Sequence, residues 1–188
     1  MPIQRLILAS ASPRRARILE SLGLRFEVRP SDLDETPGAG ETPEMLVRRL
    51  ARAKARAAER RPSDCVIAAD TVVVLGRTIL GKPRHRREAA SMLSALSGRT
   101  HEVVTGVACA WNHRIVTVVD RTEVRFRRME PREIARYVRT GEPLDKAGAY
   151  HVEGGGAAFI ESIHGSPSNV AGLSVTTVAR LLKRVLST

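Results

Sequence analysis

The chain has 188 residues, enough for one domain with a sizeable core, and its hydrophobic fraction of 43% is ordinary for a globular protein. No stretch approaches the ~18 consecutive apolar residues of a membrane span, and the N-terminus shows no signal-peptide pattern, so a cytoplasmic protein is expected. A net charge of +11 and a pI near 11.0 raise nucleic acid as a partner, but the arginines are spread along the chain and aromatic residues are only 3%, too few for a base-stacking platform. The charge reads as a general pull on anions, phosphorylated small molecules as readily as polynucleotide.

Leu6-Ile7-Leu8-Ala9 reads as a buried strand and Ser10-Ala11-Ser12 as the turn that follows it. Ser12-Pro13 then opens a helix, with a hydroxyl at the N-cap and a fixed φ at the first helical position. The helix runs through Ile18, Leu19 and Leu22 and stops at Gly23. Arg14 and Arg15 fill its first turn, where the helix dipole favours acidic residues. Two readings stand: chance in an arginine-rich chain, or a site where amides, serine hydroxyls and two guanidinium groups converge on phosphate.

Phe26-Glu27-Val28 is a short strand leading into the acidic loop Ser31-Asp32-Leu33-Asp34-Glu35-Thr36-Pro37, which reads first as a solvated turn. Thr42-Pro43-Glu44 opens a long helix through about Arg61, with Val47, Leu50 and Lys54 on one face. Lys54 thus replaces an apolar residue on the inward stripe, where it either snorkels to solvent or reaches a buried anion.

The apolar run Cys65-Val66-Ile67-Ala68-Ala69 delivers Asp70 and Thr71, and the chain continues through Val72-Val73-Val74-Leu75. It turns at Gly76-Arg77 and returns through Thr78-Ile79-Leu80 to Gly81-Lys82-Pro83, a β-hairpin pattern. Charge is depleted within strands, so Asp70 must be ion-paired, metal-bound or functional. A helix from about Arg87 to Ser97 ends at Gly98, and His101–Trp111 and Arg114–Phe126 form an antiparallel pair. Glu130-Pro131 starts a further helix that stops at Gly141.

A glycine-rich segment follows, with Asp145-Lys146-Ala147-Gly148-Ala149-Tyr150 and then Gly154-Gly155-Gly156. A strand over Ala158–Ile163, a turn at Gly165-Ser166-Pro167-Ser168-Asn169 and a helix through Leu181 and Leu182 complete one continuous α/β fold. Cys65 and Cys109 sit in apolar strand-like runs, which favours two buried thiols over a disulfide or a metal pair. The five histidines show no ligand spacing.

The singled-out residues form a set: the serines and arginines at the first helix start, Asp34 and Glu35, Lys54, Asp70, Lys82, and Asp145 with Lys146. Cations at several places suit a triphosphate, and carboxylates among them suit Mg²⁺ or Mn²⁺, both of which take oxygen ligands. A carboxylate beside such an ion could deprotonate a water aimed at phosphorus. Neither a Gly-x-x-x-x-Gly-Lys-Ser/Thr loop nor a Gly-x-Gly-x-x-Gly is present, which disfavours P-loop and dinucleotide folds.

Over nearly its whole length the chain resembles the Maf family of nucleoside triphosphate pyrophosphatases. The resemblance rests on Ser10-Ala11-Ser12-Pro13-Arg14-Arg15, Asp34-Glu35, Lys54-Ala55, Ala69-Asp70-Thr71, Gly81-Lys82-Pro83, Asp145 to Tyr150 and Ser168-Asn169-Val170-Ala171-Gly172-Leu173. It implies a single domain, 1–188, with a mixed, twisted α/β sheet flanked by helices, in two lobes with a central cleft (Maf/ITPase-like). The implied reaction cleaves a nucleoside triphosphate between the α and β phosphates, with a divalent cation required, and clears non-standard nucleotides. The family's general base falls on Asp70, and its selectivity positions on Arg14, Thr71 and Glu153. Ser10, Ser12, Arg15, Lys54, Lys82, Asp145 and Lys146 are the other expected substrate contacts, with Glu35 and Asp70 as metal ligands.

The Asp-Lys-Ala-Gly-Ala-Tyr string resembles the branch acting on dTTP and UTP, which usually carries glutamine where this chain has Glu153. An ionised glutamate only accepts hydrogen bonds, and the branch acting on 7-methyl-GTP has glutamate in a comparable position but lacks the string. Gly172-Leu173-Ser174-Val175 departs from the usual Gly-Leu-Pro-Leu. The resemblance also implies a homodimer and a link to restraint of cell division, and a non-catalytic nucleic-acid-binding regulator is the rival motivated by the charge.

Overall fold

The computed structural model describes residues 4–58, 61 and 63–186, with side chains through Arg184. Seven strands form one sheet in the order β2-β1-β3-β5-β6-β7, with β4 paired to β3. β1 (Arg5–Leu8) is parallel to β2 (Glu27–Val28) and to β3 (Asp64–Leu75). Parallel neighbours need crossover connections, supplied here by α1 (Pro13–Ser21) and α2 (Pro43–Ala57). The Gly76-Arg77 turn pairs β3 antiparallel with β4 (Thr78–Leu80), as its sequence predicts.

β5 (Thr100–Trp111) and β6 (Arg114–Phe126) are sheet neighbours joined by a turn at Asn112-His113, and β7 (Ile160–His164) is antiparallel to β6. α3 (Arg86–Leu96), α4 (Pro131–Arg139), α5 (Pro167–Val170) and α6 (Val175–Leu186) complete the regular elements. The sheet is therefore mixed and flanked by helices. Among the described residues no helix is long and apolar enough to cross a membrane.

The chain divides into two compact units whose segments interleave in sequence: Met1–Asp70, Thr105–Asp120 and Gly172–Thr188, then Thr71–Val104 and Arg121–Ala171. In the first unit the inward face of α2 packs on the sheet through small residues. Ala51, Ala55 and Ala58 meet Ile7 and Ala9, Val66 and Ala68 of β3, and Ala108 and Ala110 of β5. Small side chains on both surfaces let the helix backbone come close, and at Gly106 it touches the strand. A Cβ built there would lie 2.3 Å from the Val47 carbonyl oxygen. Strand alternation turns Cys65 and Cys109 to the other face, where they are buried thiols with Sγ atoms 3.4 Å apart.

The second unit is built around an aromatic and aliphatic core. Ala89, Leu93 and Leu96 of α3 and Ile134, Tyr137 and Val138 of α4 pack with Phe126, Tyr150 and Phe159. Phe126 and Tyr150 meet edge to face at 4.8 Å, a favoured aromatic geometry. His101 is buried among these rings, its Nε2 3.0 Å from the Tyr150 hydroxyl and its Nδ1 without a hydrogen-bond partner among the described residues. Burial pushes its pKa down to about 4, so the imidazole is neutral at physiological pH. Asn169 is also buried, and its amide donates to the Val103 carbonyl at 3.1 Å and to Thr122 Oγ1 at 3.0 Å.

Four sequence expectations need correction. α2 ends at Ala57, not near Arg61, because Ala58 turns extended and the Arg61 amide donates instead to the Asp64 carboxylate at 2.8 Å. Ser12 occupies the N-cap of α1 but its hydroxyl makes no capping bond; its own amide donates to Ser10 Oγ at 3.2 Å. Ala158 and Phe159 belong to a 3₁₀ turn over Gly155–Phe159, so β7 begins at Ile160. The expected turn at 165–169 contains the short α5, capped by Ser166 Oγ, which accepts from the Asn169 amide.

Gly106→Ala is expected to lower stability by about 2 kcal/mol or more, since helix backbone must move to admit one methyl group; denaturant melts of the two proteins measure it. His101 has a folded-state pKa below its unfolded value, so the unfolded chain binds the proton first and stability is lost as pH falls from about 6.5 towards 4. His101→Phe should remove up to about 3 kcal/mol of that pH dependence, read as the difference in unfolding free energy between pH 7 and pH 4.

Candidate active site

In the first unit the site grows from the face of β3 that α2 covers. Val66 and Ala68 lie on that face, and the period of two carries Asp70 onto it as well. The helix turns Leu46, Val47, Leu50, Ala51, Lys54 and Ala55 inward, and Lys54 is only 7% exposed. Its ammonium donates to Asp70 Oδ1 at 2.7 Å and to Glu35 Oε1. Of the two sequence readings of Lys54, the buried anion is the one observed. The acidic loop is likewise more than a solvated turn, since it delivers Glu35 to this ammonium. Asp34 closes a local turn by accepting from the Thr36 amide at 2.9 Å, and its pKa is held low by that residue.

Burial pushes the Asp70 carboxyl above the ordinary aspartate range, while the Lys54 ammonium and the Arg15 guanidinium pull it back and Glu35 adds to the rise. Arg15 donates through Nε to the Gly172 carbonyl at 2.9 Å and through Nη1 to Ser10 Oγ at 3.1 Å. Ser10 is itself buried and accepts the Ser12 amide. Burial lowers the Arg15 pKa, Asp70 and Glu35 raise it and Arg14 lowers it, but a guanidinium stays charged across the working range. Seven of the expected residues (Ser10, Ser12, Arg14, Arg15, Glu35, Lys54, Asp70) therefore form one electrostatically coupled cluster. Arg14 belongs to it through its charge, and Ser12 through its backbone amide.

The remaining candidates lie in the second unit. Thr71 continues β3 and is partly buried, and Lys82 is exposed on the loop after β4. The neighbouring Gly81 carbonyl accepts the Gly148 amide at 3.1 Å, which ties that loop to the Asp145–Tyr150 segment. Asp145 and Lys146 pair with one another, the carboxylate largely exposed and the ammonium largely covered. Glu153 is half exposed. Three residues with no strong sequence signal surround its segment: Tyr137, Glu142 and His151. The Tyr137 hydroxyl donates to Glu142 Oε1 at 2.6 Å, and the Gly155 and Gly156 amides donate to the same carboxylate. Only the Gly154-Gly155-Gly156 run hinted at this arrangement, because backbone amides carry no side-chain signature.

Among the described residues no group of three or more His, Cys, Asp or Glu gathers as a ready metal site. Glu35 and Asp70 nonetheless present hard oxygen donors to one cation, the Lys54 ammonium. Two carboxylates with phosphate oxygens and waters completing the shell is a donor set that suits Mg²⁺ or Mn²⁺.

The family described as "Maf-like protein" matches residues 5–185 of the chain. The chain is 52% identical over 180 residues to the dTTP/UTP pyrophosphatase of Myxococcus xanthus (strain DK1622), covering 95% of this chain and 91% of that one. Identity is 53% over 184 residues to the dTTP/UTP pyrophosphatase of Anaeromyxobacter dehalogenans (strain 2CP-1 / ATCC BAA-258), with 96% and 93% covered. It is 46% over 185 residues to that of Pelotomaculum thermopropionicum, with 97% of each covered. Among solved structures the backbone is similar to a HAM1 protein from Coxiella burnetii, with a TM-score of 0.54, 18% identity and coverage of 98% and 100%. At that identity the likeness concerns the fold alone.

Lys54→Met should cost roughly 3–5 kcal/mol of stability, because it strands a buried carboxylate. With its cation gone the Asp70 pKa rises further above the unfolded value, so the loss is largest at neutral pH and shrinks as pH falls towards the unfolded pKa. Adding Asp70→Asn to that background should recover most of it. Equal losses at pH 4 and pH 8 in chemical denaturation would count against the pairing.

Proposed function

The chain belongs to the Maf family, and from that premise we propose that it is a pyrophosphatase of nucleoside triphosphates, with dTTP and UTP as its principal substrates. Water attacks phosphorus, the bond between the α and β phosphates breaks, and the products are the nucleoside monophosphate and pyrophosphate. Asp70 takes the proton of the attacking water; a carboxyl raised by burial is a better base than a surface aspartate once ionised. Arg15, held by Ser10 and Gly172, meets the phosphate chain as a fixed cation. Lys54 keeps Asp70 ionised in a buried setting and offers its ammonium to phosphate oxygen.

Arg14 and Ser12 complete the phosphate end, while Lys82 and the Asp145-Lys146 pair are assigned to substrate contact and Thr71 and Glu153 to nucleobase selection. Mg²⁺ or Mn²⁺ held by Glu35 and Asp70 would supply charge neutralisation at phosphate oxygens. The whole of 1–188 acts as one catalytic domain in the cytoplasm, clearing non-standard nucleotides. The observation that carries this reading is the Lys54 ammonium set between Glu35 and Asp70 beside Arg15. Glu153 favours a second base class: a carboxylate accepts two hydrogen bonds side by side, which suits the two donors of guanine or 7-methylguanine.

Incubation with a nucleotide panel that includes dTTP, UTP, GTP and 7-methyl-GTP, with products identified by mass, tests the proposal. Release of monophosphate and pyrophosphate is expected, lost on chelation and restored by Mg²⁺ or Mn²⁺. Asp70→Asn should lower turnover about 100-fold or more. A panel left intact, or an Asp70→Asn protein that keeps full activity, overturns the assignment.

A further inference from the structure

We propose that His151 is a positioning residue for nucleobase selection: set between the Glu142 and Glu153 carboxylates, it takes up a proton that ties Glu153 down, so base preference changes with pH. The inference rests on the reading of Glu153 as a base-facing position and deepens it.

The geometry is a short chain of charges. His151 Nδ1 lies 4.0 Å from Glu142 Oε1, and Nε2 lies 3.8 Å from Glu153 Oε2. The ring is largely covered, whereas Glu153 is half exposed. Glu142 is the fixed end of the chain. Burial pushes its pKa up, but the Tyr137 hydroxyl and the Gly155 and Gly156 amides outweigh this and hold it below the usual range. Tyr137 also anchors the main chain at His151, since its hydroxyl oxygen accepts the His151 amide at 3.0 Å. Space around the ring is closed by Gly154, where a Cβ would lie 2.6 Å from both His151 Nδ1 and Glu142 Oε2. The groups facing His151 are thus Glu142 from the 3₁₀ turn after α4, Tyr137 from α4 itself, and Glu153 from its own segment.

A proton on His151 would have a carboxylate on each side, and histidine is the side chain whose charge can change within the physiological range. While the ring is charged, its charge lies 3.8 Å from Glu153 Oε2 and offsets that of the carboxylate, which weakens this oxygen as an acceptor and leaves the other to accept from a single donor. Uracil and thymine present one N–H flanked by two carbonyl oxygens, which a partly neutralised carboxylate tolerates. Once His151 is neutral, Glu153 carries its full charge and both oxygens are open. Those oxygens repel the flanking carbonyls and favour guanine, which presents two donors side by side. The ratio of kcat/KM for UTP to that for GTP should therefore fall as pH rises. Protonation of the triphosphate and of Asp70 affects both nucleotides alike and cancels in the ratio.

Histidine resonances of the intact protein, with His151 assigned by its loss in His151→Gln, give the titration midpoint directly. That midpoint is expected to move to lower pH in Glu153→Gln. Between about pH 5.5 and 8 the UTP-to-GTP ratio is expected to fall about two- to five-fold, the scale of a half-exposed ion pair, and to stay flat in His151→Gln and Glu153→Gln. A midpoint unmoved by Glu153→Gln, or a flat ratio in the unsubstituted protein, overturns the inference. If no nucleotide is hydrolysed at any pH, the pyrophosphatase reading falls and takes the selectivity role with it, while the midpoint still reports whether the ion pair exists.

Discussion

A buried ammonium between two carboxylates is the constraint from which the first unit is best understood. Lys54 and Asp70 are each more than nine-tenths covered, and neither could be left charged there alone. Together they hold a strand carboxylate in its basic form inside a packed face, with Glu35 closing the pair from the loop side. A buried pair of this kind is a poor stabiliser compared with apolar packing, because two charges have been taken out of water. Its presence in the covered face of a helix therefore points to chemistry as the reason for keeping it.

The backbone makes that pair reachable. Alanines on α2, β3 and β5, with Gly106 at the closest approach, bring the helix axis near enough for a lysine stem to span to β3. Parallel pairing of β1 with β3 sets the start of α1 beside the same strand, and Arg15 follows from it. The second unit handles its polar groups in the opposite way. Asn169 and Glu142 spend their hydrogen-bonding capacity on backbone and hydroxyl partners, and His101 stays neutral among aromatic rings. Lys54 and Asp70 are answered by charge, whereas Asn169 is answered by a carbonyl and a hydroxyl, and His101 keeps one ring nitrogen without a hydrogen-bond partner among the described residues.

Much of the fold was legible because strand and helix periods are written in side chains. The run Cys65–Leu75, the Gly76-Arg77 turn and the two long strands after Gly98 emerge where their patterns place them. Asp70 was legible for the same reason, as a charge where a strand should be apolar, and Lys54 as a cation on an apolar stripe. Helix ends were less so: α2 stops early because the Asp64 carboxylate captures the Arg61 amide, a bond between residues whose types do not announce it. Ser12 takes the N-cap place of α1 without its hydroxyl making the capping bond, which its residue type does not reveal. The carboxylate of Glu142 was invisible, since its partners are two glycine amides and a tyrosine five residues upstream.

The most direct test of the buried-pair site is a crystal structure with Mn²⁺ and a non-hydrolysable α,β-imido analogue of UTP. The anomalous signal of manganese is expected beside Glu35 and Asp70, with phosphate oxygens in contact with Arg15 and Lys54. Manganese bound elsewhere, or a phosphate chain that leaves Lys54 locked between its two carboxylates and Arg15 untouched, would contradict the assignment of this cluster as the reacting centre.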